Sequence, residues 1–119
     1  MKIMLTGAVI LTLALGYSLY PQSRPVVISL SDIHGNLLLE WCTSSDIGVK
    51  NACITYVEGV RDGRTIAQTN LKFAIPTEAD GVQLADVVIK FLKDHPEQRH
   101  KSAALLVVSA LEDAFPMPK

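Results

Sequence analysis

From Leu30 onward, apolar residues recur at spacings of three and four, which is helical periodicity. Ile33, Leu37, Leu38 and Trp41 share one face of a first predicted helix, with Ser31 or Asp32 available to cap its start. Gly35 weakens the first turn, so the firm part runs from Asn36 to Cys42. The polar, turn-rich stretch "TSSDIGVK" separates this helix from a second one. There Cys53, Tyr56, Val57 and Val60 form the apolar face, and Thr55, Glu58 and Asp62 the polar one. The Asp62-Gly63 dipeptide reads as its end. "RTIAQTNLKFAIPTEAD" has no clear period and contains Pro76, so it is predicted to be a loop with at most one short turn. "DGVQLADVVIKFLKDHP" is a third helix, opened by Asp80 with Gln83 in a variant of the capping box and stopped by Pro96. Its polar residues, Gln83, Asp86, Lys90 and Lys93, form only a narrow stripe. A fourth helix is predicted from about Glu97 to Phe115.

The pattern therefore predicts an all-α fold, a small bundle of four main helices. The centre of the fourth helix, "AALLVVSAL", is apolar on nearly every side, whereas a surface helix shows one apolar stripe. Together with the third helix it carries more apolar surface than one core face requires. A homodimer interface would cover that surplus; the alternative is a helix central to its own bundle.

The N-terminal part follows a different pattern. "MK" precedes the uncharged apolar run "IMLTGAVILTLALG", the layout of a secretory signal peptide. We place the signal at residues 1–16, an extended, proline-interrupted leader at 17–30, and the helical domain at 31–119. An uncleaved anchor is the rival reading, because the apolar stretch extends to Tyr20; contact with a membrane would then run through this segment alone. No cysteine stands near the end of the run, which argues against a bacterial lipid anchor. In an exported chain the two cysteines, Cys42 and Cys53, favour a disulfide over two buried thiols. The bridge would pin the end of the first helix to the start of the second, and closing so short a loop contributes about 3 kcal/mol.

Charge and chemistry add mostly exclusions. With a net charge of -1 and no basic patch interleaved with aromatics, nucleic-acid binding has no support. His34, His95 and His100 are the only histidines and lack the short ligand spacings of a zinc site. Nothing resembles a nucleophile elbow, a phosphate loop or a calcium loop. Glu58 and Asp62 are one helical turn apart and could pair for acid–base work, but on an exposed face such carboxylates more often solvate. The sequence thus predicts no enzyme, no metal and no cofactor.

The blocks "LLLEWC", "ACITYVEGVRDG", "KFAIP" and "GVQLADVVIKFLKDHPEQRHKSAALLVVSALEDAFP" occur in that order over Leu37 to Pro116. Together they resemble the Rap/Tai family, the resistance-associated and type VI amidase immunity proteins. The most specific part is "VVIKFLKDHPEQRHKSAALLVVSALEDAFP". The resemblance implies a small, exported, all-helical and often dimeric protein of the bacterial periplasm. It also implies a function: binding a type VI secreted peptidoglycan amidase effector and inhibiting it by occluding its active-site cleft. A small periplasmic stress or chaperone-type helical protein is the alternative. The chain departs from the family pattern at Ala74 and Met117, where the family often carries cysteines. Their joint absence implies that those two normally pair, and it leaves Cys42–Cys53 as the remaining bridge. The tie between the "KFAIP" loop and the C-terminal tail would then be looser, held by Pro76, Phe115 and packing of Met117.

Two segments could protrude towards such a partner. One is the "KDHPEQRH" turn, with His95, Glu97, Gln98, Arg99 and His100 as candidate contacts. The other is the loop "RDGRTIAQTN". For the turn, the competing reading is architectural: His95-Pro96 closes one helix and starts the next.

Overall fold

A computed structural model describes residues 33–67 and 70–119 of the chain. The predicted signal and leader, and the proposed caps Ser31 and Asp32, lie outside the described residues. Four α-helices follow in order: α1 (Gly35–Cys42), α2 (Ile47–Ala67), α3 (Gly81–Asp94) and α4 (Ala103–Ala114), with a single 3-10 turn at Pro96–Gln98. Every pair of these helices is in contact, and the described residues contain no strand, only the isolated bridges His34–Ser102 and Phe73–Pro116. Among the described residues, no helix is long and apolar enough to cross a membrane.

α1 and α3 occupy the segments their periodicity predicts. α3 begins where Asp80 accepts the Gln83 amide at 2.8 Å, satisfying one of the donors a helix start leaves free. α2 is longer than predicted at both ends. The stretch read as a separator contains a helix start, because the Asp46 carboxylate accepts the Val49 amide at 3.1 Å. At the other end the helix passes through Gly59 and Gly63 and stops at Ala67, not at Asp62-Gly63. Both glycines keep negative φ, so neither breaks the helix, and Arg64 reaches forward to the carbonyl of Asn70 at 2.9 Å. Asn70 itself takes a left-handed φ of 53°, which asparagine tolerates and which turns the chain away from the helix.

Cys42 and Cys53 form the predicted disulfide, both buried at the junction of α1 and α2. Trp41 meets Tyr56 edge-on, with ring centroids 6.5 Å apart, so the same junction is clasped twice. The core is assembled from all four helices: Leu38, Val57, Leu84, Val88, Leu92, Leu106, Val107 and Leu111 are almost wholly removed from water.

α4 starts at Ala103 and not near Glu97, because the chain first makes the 3-10 turn and then runs along the start of α1. Its apolar character on nearly every side has an internal explanation. α4 touches α1, α2 and α3, and it buries Ala103, Leu106, Val107, Ala110 and Leu111 among them. What remains outside is chiefly Leu105, 65% exposed.

The long loop after α2 is packed down. Phe73 is buried in the core, the Ala74 amide donates to the Phe115 carbonyl at 2.8 Å, and a turn closes Pro76 to Ala79. The expected tie between this loop and the C-terminal tail therefore exists without thiols. Pro76 and Met117 line one cleft there, and the Phe115 carbonyl supplies the acceptor. Phe73 is the anchor that the sequence reading missed.

Candidate functional site

Among the described residues, no group of three or more His, Cys, Asp or Glu side chains is placed to hold a metal ion. The Glu58–Asp62 pair considered for acid–base work does not form. Asp62 is engaged by Arg61 at 2.8 Å, and Glu58 leans over the start of α3 beside Gly81. A carboxylate there lies at the positive end of the α3 dipole. Burial raises the Tyr56 pKa, keeping the phenol neutral.

The segment from His95 to Ser102 is the most highly organised stretch outside the helices. At the C-terminal end of α3, the carbonyls that lack an intrahelical partner are met by the segment's own groups. The Phe91 carbonyl accepts the His95 amide at 3.0 Å and also lies 2.9 Å from His95 Nδ1. A carbonyl only accepts, so the ring nitrogen facing it carries the proton. The His95 ring stacks on that of Phe91 at 4.3 Å. Arg99 Nε donates to the Leu92 carbonyl at 2.6 Å, and a second guanidinium nitrogen lies 3.4 Å from the Lys93 carbonyl.

The same segment also serves α1. That helix has no side-chain cap at His34. Instead the Gly35 amide donates to the Lys101 carbonyl and the Asn36 amide to the Arg99 carbonyl, both at 3.1 Å. The Ala103 amide donates back to Ile33 at 2.8 Å. One short segment thus ends α3 with side chains and begins α1 with carbonyls.

This division sorts the five candidate contact residues. His95 and Arg99 are half-buried and bonded to α3. Glu97 and His100 are exposed, and Gln98 is half-buried beside Glu97, its side-chain amide 3.4 Å from the Glu97 carboxylate. The Glu97 carboxyl is held below the usual range, first by its own backbone amide and then by Gln98 and the nearby cations. Asp94 is lowered as well, chiefly by its hydrogen bond from Lys90, at 2.5 Å. The second predicted contact segment is divided differently: Arg61 to Ala67 are the last turns of α2, and Gln68 and Thr69 lie outside the described residues.

Two clefts flank these elements. One, about 250 Å³, lies between α3 and α4 beside the turn, with Phe91 and Ala110 in its lining and Asp94 and Asp113 alongside. The other, about 500 Å³, lies between α2, the loop and the tail, with Phe73, Ala74 and Met117 among its lining residues.

These features define a small disulfide-linked helical domain that displays a rigid polar turn. The chain belongs to the Rap1a immunity protein family, whose model matches residues 34–117. That match covers every described helix. Membership identifies a type of protein that acts by binding a partner effector, in a family that is not catalytic. No curated protein matches the chain.

Proposed function

We propose that this chain is an exported, periplasmic immunity protein that binds a type VI secreted peptidoglycan amidase and inhibits it by covering its active-site cleft. The family match over residues 34–117 carries the reading. The Cys42–Cys53 bridge supports it, since disulfides persist in oxidising compartments such as the periplasm. The protein contributes no chemistry of its own; it acts by occupancy. The contact edge is the turn after α3, through exposed Glu97 and His100 with Gln98 beside them. A preorganised turn suits this role, because little ordering entropy remains to be lost on binding. A homodimer completes the proposal, on the strength of the resemblance to a family whose members are often dimeric.

The test is protection. Cells carrying a periplasm-directed type VI amidase lyse, and co-expression of the full chain should prevent lysis. Continued lysis by every such amidase, with the folded protein present in the periplasm, would overturn the proposal.

A further inference from the structure

Arg99 occupies a position that an exposed contact residue would not need. Its guanidinium turns back onto α3, where Nε donates to Leu92 and a second nitrogen approaches Lys93. A cation at a helix C-terminus is favoured by the dipole, and a planar fork can serve two adjacent carbonyls at once. Its own carbonyl takes the Asn36 amide of α1. Its main chain packs directly on Gly35, where a Cβ would lie 3.0 Å from both Arg99 Cα and Arg99 O. One residue therefore joins the end of α3, the turn and the start of α1.

We propose that Arg99 is a positioning residue: by clamping α3 to α1 it fixes the turn in the shape that presents Glu97 and His100. This rests on the reading of that turn as the effector-facing element. Lysine is a poor replacement, because its single ammonium lacks the fork geometry. Methionine keeps much of the stem's packing and removes every donor.

Amide hydrogen exchange tests the proposal in the full chain without a partner. In Arg99→Met, exchange at Gly35, Asn36, Gln98 and Lys101 should rise by about tenfold or more, equivalent to about 1.4 kcal/mol. Amides in the middle of α2 and α4 should be unaffected, which a general loss of stability would not allow. Arg99→Lys should fall between Arg99→Met and the parent, and it is the variant to use should Arg99→Met fail to fold. Unchanged exchange at Gly35 and Asn36 in both variants would overturn the proposal. Affinity for the amidase against which the chain protects is the second readout. Arg99→Met should weaken it about tenfold in fully folded protein, while Glu97→Ala with His100→Ala weakens it without altering exchange. Should exchange rise in Arg99→Met while the double alanine variant binds normally, the positioning role stands and the turn is not the contact edge.

Discussion

Gly35 packs against the main chain of Arg99 so closely that a side chain at position 35 has no room. A Cβ there would lie 2.5 Å from Leu106 Cδ1 and 3.0 Å from the Arg99 backbone. The backbone atoms belong to the segment that caps α1, so they cannot move aside without opening two hydrogen bonds. Gly35→Ala is expected to lower stability by about 2 kcal/mol or more, in the range of overpacked cores. Thermal unfolding followed by circular dichroism checks it; an unchanged midpoint would mean that the cap yields freely.

Gly59 and Gly63 behave oppositely. Both lie inside α2 at negative φ, with open space where a Cβ would go. Each costs helix stability without serving a turn or a close contact. Gly59→Ala and Gly63→Ala should each raise stability by about 0.5–1 kcal/mol. The denaturant midpoint should shift upward with an unchanged slope.

The disulfide closes a short loop, with its two cysteines separated by 11 positions in the chain. Replacing both by alanine should lower stability by about 3 kcal/mol, with some further loss because both side chains are buried. Reductant should have little effect on the double variant and a large one on the parent, as read by urea unfolding with and without it.

Phe73 holds the loop after α2 in the core at 3% exposure. Phe73→Ala should cost about 3–5 kcal/mol. It should also free the C-terminal tail, since Ala74 and Phe115 share the adjoining hydrogen bond. Limited proteolysis should then cut near Leu71–Pro76 and after Phe115 at concentrations that leave the parent intact.

Acid should loosen the end of α3 before it unfolds the core. Asp94 and Glu97 both have folded-state pKa values depressed below the ordinary 3.8 and 4.5. A depressed carboxyl contributes stability that is present above its unfolded pKa and lost as pH falls through the folded one. The loss therefore falls below pH 4.5 for Glu97 and below pH 3.8 for Asp94. Both groups are fully exposed, so the effect is local and screened by salt. NMR titration of the two carboxyl groups, with Lys90→Met removing the Lys90-dependent part of the Asp94 shift, checks the direction.

Much of this architecture was legible in the sequence, for identifiable reasons. The third helix carries a strong period, an Asp80 cap and a Pro96 stop, and all three act locally. The cysteine pair was legible from its count and its place between two helices. The second helix was misjudged because glycine and "DG" are turn signals only on average. Here apolar packing of Cys53, Val57 and Val60 carries the helix past Gly59, and beyond Gly63, where Ile66 is exposed, Arg64 ties the last turn to Asn70. The surplus of apolar residues in the fourth helix was visible, but its main cause, contact with three neighbours, is tertiary. The roles of His95 and Arg99 could not be read from periodicity either. Side chains that bond carbonyls of a preceding helix look, in sequence, like any polar residues of an exposed turn. The proline stop shortly before Arg99 was the available clue, since a helix ended so abruptly leaves carbonyls in need of donors.

In a chain made from its N-terminus, Cys42 and Cys53 emerge early and only 11 positions apart. The start of α1 is different. Its first two amides find their acceptors at Lys101 and Arg99, more than sixty positions further along the chain. The first of the described helices therefore waits for Arg99 and Lys101 before its first turn is secured. Products that stop before Arg99 keep the covalent clasp and lack the closing contact, so the turn after α3 becomes a condition for order at the start of α1.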